Sequence, residues 1–211
     1  MESSTFIYFL TASILLTLAP GPDILYLLTK SLSDGAKAGI ILACGLVSGI
    51  IFHTTLVMVG VAALIKSSAT AMLLLKIFGA AYLLFLAFGA FKSAKKQLEI
   101  KRSKSLRIAH YELRIALYRR GILMNVLNPK VLLFFLAFLP QFVDLNSEGA
   151  SLTILFLGIT FAAQALIIFS VVAIFAGRVR NLILGKKNIG QLLSYVEAAV
   201  LTLIALTLIL F

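Results

Sequence analysis

Six long apolar runs divide the chain, and no other feature of the sequence constrains its fold as strongly. The runs cover residues 6–29, 39–65, 70–91, 121–143, 152–176 and 191–211. Each is long enough to cross a bilayer as a helix, which takes about 20 mostly apolar residues. Helices are expected throughout, because lipid offers no partner to backbone groups that the chain itself leaves unpaired. The sequence therefore predicts an all-α integral membrane protein with six transmembrane helices.

The composition agrees with a lipid environment. Hydrophobic residue types make up 61% of the 211 residues and the mean hydropathy is +1.08, whereas a soluble domain is about 45–50% apolar. The formal net charge is +11, but the basic residues fall in hydrophilic gaps between the apolar runs. That placement is typical of membrane loops, so the expected partner is the lipid bilayer and not nucleic acid. Residues 1–211 are expected to form a single transmembrane domain.

Lysine and arginine predict the orientation. The segment 92–120 holds ten of them against two glutamates, and the segment 177–190 holds four with no acid. With six spans, these segments and the shorter loop at 30–38 fall on one side, and basic loops mark the cytoplasmic side. Both termini are then on the outer side of the membrane. Residues 106–120 fit either a helix lying on the inner leaflet or a solvated loop.

Two of the runs contain a proline motif that breaks a helix. Residues 20–22 (Pro-Gly-Pro) interrupt the first run, and residues 128–129 (Asn-Pro) interrupt the fourth. Proline removes a backbone donor and leaves the carbonyl about one turn earlier without its helical partner. A charged residue follows each motif directly, Asp23 in one case and Lys130 in the other. Charges at this depth are typical of a binding site, although a kink that only shapes packing is the alternative.

The two halves of the chain share this layout. A Gly-Ala pair at 35–36 precedes the second run and another at 149–150 precedes the fifth, and His53 and Gln164 lie near the middles of those runs. Three spans in each half force the halves into opposite orientations, so the sequence predicts a 3+3 inverted repeat. In such transporters broken helices mark the substrate site. The repeats are predicted at about residues 1–91 and 121–211, with a cytoplasmic basic loop at 92–120.

The charges at the breaks suit a zwitterionic ligand. Asp23 is predicted to receive an α-ammonium group, and Lys130 or a half-helix N-terminus an α-carboxylate. The alternatives are a structural ion pair between the two residues, or a Lys130 side chain that extends to the membrane surface. Polar lining is expected from the amides and one phenol within the runs, which alternatively form only hydrogen bonds between helices. These residues are Asn125, Asn128, Gln141, Gln164 and Tyr82.

A proton carrier is expected near the middle of the membrane. His53 is suited to this, since imidazole is the side chain that titrates closest to neutral pH. Glu197 in the sixth run is a second candidate, and a neutral histidine bonded between helices is the alternative. The candidate proton-coupling residues are His53 and Glu197. The candidate substrate-binding residues are Pro20, Gly21, Pro22, Asp23, Asn125, Asn128, Pro129, Lys130 and Gln164.

Glycines are frequent in the second run, at Gly39, Gly45, Gly49 and Gly60, and the third run contains Gly79 and Gly89. In membrane helices, small residues let the backbones of neighbouring helices approach closely. The second run is therefore expected to pack tightly against other helices.

Other kinds of site find little support in the sequence. The chain has one cysteine, Cys44, and no Cys/His cluster with the spacing of metal ligands. It also lacks a nucleophile–base motif. An enzyme is therefore not expected, and no catalytic residue, resident metal or cofactor is predicted.

Four stretches resemble a known transporter family. They are LAPGPDILYLL (18–28), GAKAGIILACGLVSGIIFH (35–53), LKIFGAAYLLFLAF (75–88) and GILMNVLNPKVLLFFLAFLPQFV (121–143). Together they are similar to the lysine exporter (LysE) family, and most of all to its homoserine/threonine-exporter (RhtB) branch, over residues from about 5 to 210. The resemblance implies a bacterial inner-membrane exporter of amino acids that works by proton antiport.

The residues favour a small neutral amino acid as the substrate. A lysine or arginine carrier is expected to place extra acid in its cavity, but only Asp23 lies deep in a span, with Glu197 more peripheral. Threonine, homoserine or leucine-like residues are therefore expected. The alternatives are basic amino acids, a metal or inorganic ion, or another small metabolite. Protons are the expected coupling partner, and a homodimer is left open.

Overall fold

A computed structural model describes residues 2–19, 21–61, 69–94, 110–145, 147–178, 195, 198–199 and 201–206. The helices in these ranges include α1 (Ser3–Leu18), α2 (Pro22–Asp34), α3 (Ala36–Leu56), α4 (Ala69–Ala94), α5 (His110–Val126), α6 (Pro129–Leu133) and α7 (Ala150–Arg178), and the described residues from 195 to 206 are helical as well. A π-helical segment, Val57–Val61, extends α3, and α6 continues through a π-helical segment, Phe134–Phe138, into a 3-10 turn, Leu139–Phe142. No strand occurs in these ranges, so the all-α prediction is confirmed for them.

Up to four membrane spans can be recognised in the described ranges. Residues 36–60 and helix α7 are each long and apolar enough to cross a bilayer alone. Helices α1 and α2 meet at 55°, and residues 114–126 and 129–142 meet at 48°, so each bent pair fits one broken span. Helix α4 covers the third apolar run, while most of the sixth lies outside the described residues. The six-span count and the inverted repeat therefore stay predictions.

Both helix breaks lie at the proline motifs, as predicted. Helix α1 ends at Leu18 and α2 begins at Pro22, while α5 ends at Val126 and α6 begins at Pro129. Proline is well tolerated at the first position of a helix, because the first N–H groups have no helical partner in any case. The side chain of Asn128 caps α6 by accepting a hydrogen bond from the backbone N–H of Lys130. Each proline motif thus separates two helices, and Pro22 and Pro129 are the first residues of the second helix in each pair.

The helix before the second break is longer than predicted. The sequence predicts the fourth span from residue 121, whereas α5 begins at His110. Residues 110–120 are regular helix continuous with the span, so the solvated loop considered for this stretch is wrong for them. The guanidinium of Arg120 lies 4.6 Å from the ring centre of Tyr26, which fixes this part of α5 against α2.

Helix α3 contacts α2, α5 and α7, and its glycines set the distance to α5. A Cβ at Gly49 would lie 2.7 Å from the Cβ of Asn125, and one at Gly121 would lie 2.5 Å from a backbone oxygen of α3. The two backbones are therefore in direct contact, a close approach that small residues allow. The predicted close packing is confirmed at Gly39, Gly45 and Gly49, whereas at Gly60 and Gly89 a Cβ would meet no described atom within 4 Å.

One side of α7 is covered by large exposed apolar side chains. Only 28% of the most apolar window of this helix is buried. The exposed residues recur at helical spacing and include Leu152, Phe156, Ile159, Ile167 and Phe175. A continuous apolar surface of this extent is not stable in water, so it is the surface expected to face lipid.

Basic residues of three helices collect at one end of the bundle. Lys37 lies in the first turn of α3, and Lys30 lies one turn before the end of α2, which runs directly into α3. Arg178 ends α7 at the same place, because a Cβ at Gly177 would lie 2.7 Å from the backbone nitrogen of Ala36. A single basic end is what the predicted orientation requires. Which side of the membrane it faces stays a prediction.

The contact between α3 and α5 can be tested with Gly121→Ala. The added methyl group collides with the α3 backbone, and overpacking of this kind costs about 1–3 kcal/mol of unfolding free energy. We expect a lower melting temperature of the purified protein in detergent. The matched control is Gly89→Ala in α4, where a Cβ would meet no described atom within 4 Å. Equal effects of the two substitutions would contradict the close helix contact.

Candidate substrate site between the helix breaks

The two helix breaks contact each other through Asn128. Its Nδ2 donates a hydrogen bond of 2.6 Å to Oδ2 of Asp23, which lies in the first turn of α2. Its Oδ1 accepts from the backbone N–H of Lys130 at 3.0 Å. Asn128 therefore caps α6 and holds the carboxylate of the other break at the same time. These residues are 105 positions apart in the chain.

Lys130, which follows the second break, bonds to the end of α1 before the first break. Its Nζ donates to the carbonyl oxygens of Leu16 at 3.1 Å and Ala19 at 2.9 Å. In an unbroken helix the Leu16 carbonyl would accept from residue 20, but Pro20 has no N–H. Carbonyls at a helix C-terminus also carry partial negative charge. The ammonium of Lys130 therefore caps the end of α1 and compensates for the missing backbone donor.

Asp23 and Lys130 are both buried, with 4% and 5% of their surfaces exposed. The positive charge of Lys130 acts on the Asp23 carboxylate, and Asn128 bonds one of its oxygens. The second oxygen, Oδ1, has no hydrogen-bond partner among the described residues. Burial of Lys130 also shows that its side chain does not extend to the membrane surface. Asp23 thus presents one unused acceptor beside a buried cation.

His53 bonds to a backbone carbonyl before the second break, as Lys130 does before the first. Its Nε2 lies 3.0 Å from the carbonyl oxygen of Asn125, which in an unbroken helix would accept from residue 129, a proline. This carbonyl also accepts from the backbone N–H of Asn128 at 2.9 Å. A carbonyl only accepts, so Nε2 must carry the hydrogen. The other ring nitrogen, Nδ1, is buried without a described partner. In the neutral ring, Nδ1 therefore carries an unused lone pair.

Gln164 makes a comparable contact with α1. Its Nε2 donates to the hydroxyl of Thr17 at 2.9 Å and lies 3.5 Å from the carbonyl of Ser13, while its Oε1 has no described partner. Thr17 precedes Pro20 by three residues. Gln164 of α7 therefore contacts the helix before the first break, whereas His53 of α3 contacts the helix before the second.

A very small cavity lies between these groups. Its volume is about 10 Å³, close to the minimum that holds one water molecule. The lining side chains are Leu16, Thr17, Asp23, Ile24, Ile50, Asn125, Lys130, Val131, Phe161 and Phe169. An amino acid needs far more space, so this conformation is closed around the site.

Unpaired polar atoms concentrate around this cavity. The buried side-chain atoms without a partner in the described residues are Asp23 Oδ1, His53 Nδ1, Asn125 Oδ1 and Gln164 Oε1. Asp23 and Asn125 line the cavity, Gln164 bonds to a lining residue, and His53 bonds to Asn125. Each unpaired buried group costs about 1–3 kcal/mol. A cluster of them around one cavity favours a site for a polar ligand.

The predicted site residues divide into two sets. Asp23, Asn125, Asn128, Lys130, Gln164 and His53 are brought together around the cavity. Gly21, Pro22 and Pro129 shape the breaks and do not line the cavity. Gln141 bonds to the Ala137 carbonyl one turn earlier and Tyr82 is 39% exposed, and neither lines the cavity. Pro20 and Glu197 lie outside the described residues.

The sequence indicated that a carbonyl about one turn before each proline loses its helical donor, but it did not indicate Thr17 or the bonds of Lys130 to the Leu16 and Ala19 carbonyls. The position of Pro20 could have identified the Leu16 carbonyl, because a proline cannot donate a hydrogen bond to the carbonyl four residues before it. Thr17 had a weaker signal, a polar residue close to the first break. The aromatic lining residues Phe161 and Phe169 had none, since the fifth run is apolar on all sides.

Known proteins resemble the chain over most of its length. The family model described as "LysE type translocator" matches residues 14–210. An "uncharacterized membrane protein" of Vibrio cholerae serotype O1 is 32% identical over 144 residues, 68% of this chain and 67% of that protein. A "leucine efflux protein" of Salmonella choleraesuis is 29% identical over 184 residues, 87% of this chain and 84% of that protein. No solved structure matches.

The hydrogen bond from Asn128 to Asp23, here called the bridge between the breaks, predicts a pH-dependent phenotype for Asn128→Asp. This variant keeps an oxygen for the helix cap but places a second carboxylate against Asp23. We expect a lower melting temperature than wild type near pH 8 and a recovery towards about pH 5, because two adjacent carboxylates can share a proton.

Asn128→Ala is the control for this experiment. It loses both the cap and the bridge, which costs about 1–3 kcal/mol, and its deficit relative to wild type should not recover at low pH. A deficit of Asn128→Asp that does not change with pH would contradict the bridge to Asp23.

Proposed function

Because the chain belongs to the LysE type translocator family, we propose that it exports small neutral amino acids across the inner membrane in exchange for protons. It is a multi-pass membrane translocator and not an enzyme. The observation that carries the proposal is the pair of buried opposite charges, Asp23 and Lys130, at facing helix breaks around one closed cavity. A free amino acid carries the same two charges on one carbon atom.

Asp23 and Lys130 are the proposed partners of the zwitterion. The unused Oδ1 of Asp23 receives the α-ammonium, and Lys130 takes the α-carboxylate together with the N-terminus of α6, whose dipole favours an anion. Asn125, Asn128 and Gln164 supply further hydrogen bonds, and the breaks at Pro20–Pro22 and Pro129 hold these groups at the required depth. In this arrangement every charge of the ligand meets an opposite charge in the dry site.

The cavity lining supports a neutral and preferably aliphatic side chain. Besides its polar groups, the lining consists of residues such as Ile24, Ile50, Val131 and Phe161. Asp23 is the acid among the described lining residues, and it is already used by the α-ammonium. The name of the Salmonella relative, a leucine efflux protein, agrees with such a substrate and with outward transport. Threonine and homoserine remain in the same class.

Two other substrate classes are less well supported. A carrier of basic amino acids needs a further acid for the substrate side chain. An exporter of metal ions needs clustered ligands, and among the described residues no group of three His, Cys, Asp or Glu side chains could hold a metal ion. Both stay alternatives to be separated by the transport assay.

The contacts across the breaks support the proposed inverted repeat. His53 of the first half bonds to the helix before the second break, and Gln164 of the second half bonds to the helix before the first. Two halves that exchange equivalent contacts around a central site can rock against each other, which is how inverted-repeat transporters alternate access. With both termini on the periplasmic side, the basic end of the bundle faces the cytoplasm.

The first test is transport by the purified protein in proteoliposomes with an imposed pH gradient. We expect gradient-dependent movement of leucine, threonine or homoserine. Asp23→Asn and Lys130→Met should each reduce transport by about 10–100-fold, the effect of losing one hydrogen bond to a charged group. The control is Lys37→Met at the exposed start of α3. Near-normal transport by either site variant, or movement of lysine alone, would contradict the proposal.

His53 is the proposed proton carrier, with Glu197 as the second candidate. His53→Gln keeps an N–H donor for the Asn125 carbonyl but removes the nitrogen that can take a proton. We expect this variant to exchange labelled for unlabelled substrate across the membrane while a pH gradient no longer drives net movement. If the gradient still drives transport in His53→Gln, the role of His53 is wrong and Glu197 is tested next.

A further inference from the structure

The carbonyl oxygens of Leu16 and Ala19 form a ready-made site for a primary ammonium group. Both accept hydrogen bonds from the Lys130 ammonium, at 3.1 and 2.9 Å. Leu16 and Asp23 line the same cavity, where Asp23 offers an oxygen without a partner. A primary ammonium has three N–H donors and no acceptor. The two carbonyls take two of these donors, and Oδ1 of Asp23, which is not bonded to the Lys130 ammonium, belongs to a residue that lines the same cavity.

An α-ammonium and a lysine ammonium are the same chemical group. Both are RNH₃⁺ cations, so the acceptors that bind one can bind the other. The cavity of about 10 Å³ is too small for an amino acid, and something must therefore move out before a substrate enters. Lys130 is suited to move because its charge lies at the end of four flexible methylene groups. Its departure exposes both carbonyls to a new donor.

We propose that the Lys130 ammonium occupies the substrate's ammonium subsite, formed by the Leu16 and Ala19 carbonyls beside Asp23, when no substrate is bound. It leaves this subsite when substrate binds. This rests on the proposed function, in that the substrate carries an α-ammonium group. The displaced Lys130 then pairs with the α-carboxylate. One ammonium replaces another, so the charge around the carbonyls does not change.

The exchange gives a physical reason for selecting amino acids over simple amines. An amine alone can replace Lys130 at the carbonyls, but it then leaves two cations, its own and that of the displaced Lys130, beside the single carboxylate of Asp23 in a dry site. A zwitterion satisfies the carbonyls with its ammonium and the lysine with its carboxylate. Wild-type protein should therefore reject amines, and removal of the Lys130 charge should let amines bind.

The experiment compares wild type with Lys130→Ala by thermal unfolding in detergent. Methylammonium chloride should raise the melting temperature of Lys130→Ala by about 3–6 °C at about ten times its Kd, and should not change that of wild type. Tetramethylammonium has the charge but no N–H donor and should have no effect. Lys37→Ala, which alters an exposed lysine in the first turn of α3, should behave as wild type.

Leucine fragments give a second readout. 3-Methylbutylamine, which is leucine without its carboxylate, should bind Lys130→Ala at least about tenfold more tightly than wild type, a difference of one decade in Kd. 4-Methylpentanoate, which is leucine without its ammonium, should bind Lys130→Ala no more tightly than wild type. If Lys130→Ala does not fold, Lys130→Gln replaces it, because its amide still offers an N–H donor to the carbonyls.

The outcomes separate this inference from the proposed function. Stabilisation of the Lys130 variant by methylammonium but not by tetramethylammonium supports the subsite, even if wild type transports no amino acid. Equal effects of the two cations, or no effect of either, overturn the subsite, even if wild type transports leucine normally. Binding of 3-methylbutylamine to wild type as tightly as to the variant overturns the proposed displacement.

Discussion

Prolines inside membrane helices leave carbonyl groups without their helical donors, and lipid offers no hydrogen bond in exchange. The site is organised around other donors to these carbonyls. Pro20 removes the helical donor for Leu16. Pro129 removes the helical donor for Asn125, whose carbonyl accepts from the Asn128 N–H at 2.9 Å as well as from His53. Lys130 bonds to the first carbonyl from 114 positions away, and His53 bonds to the second from 72 positions away. Each break is therefore completed by a residue from the other half of the chain. The groups that stabilise the breaks are the groups that could bind a charged ligand, so stability and chemistry are concentrated in one place.

Close helix packing is the condition for these contacts. His53 reaches the Asn125 carbonyl because α3 lies directly against α5, and that approach depends on glycine: a Cβ at Gly49 would collide with the Asn125 side chain. On its other side α3 meets α7, where Gly158 leaves room for the side chain of Thr54. A larger residue at Gly49 would move α3 away from α5 and break the hydrogen bond of His53. The glycines of α3 are thus positioning residues for a histidine one turn further along the helix.

The local part of this arrangement could be predicted from the sequence, and the long-range part could not. Prolines act on their own helix, so the breaks and the charges beside them were identified correctly. Polarity alone does not fix direction around a helix, which is why the sequence could not separate Asn125, which lines the cavity, from Gln141 and Tyr82, which do not. The pattern at 106–120 did not show that residues from His110 continue straight into the span, because an amphipathic helix can lie on a membrane or extend out of it. The sequence assigned Lys130 to a substrate carboxylate but could not show that its ammonium bonds to the carbonyls of Leu16 and Ala19, because only the folded chain brings the end of α1 within its reach.

The unpaired atoms around the cavity connect the proposed proton to the proposed substrate. A proton added to Nδ1 of His53 leaves the bond to Asn125 in place and creates a new donor in a region where Asp23, Asn125 and Gln164 each hold an unused acceptor. In the proposed site the substrate's ammonium draws on one of these acceptors, Oδ1 of Asp23. Two ligands that need one limited set of partners change each other's affinity, and this coupling is reciprocal by thermodynamic necessity. Proton and amino acid therefore need not touch to be exchanged: competition for the acceptors is sufficient to make binding of one favour release of the other.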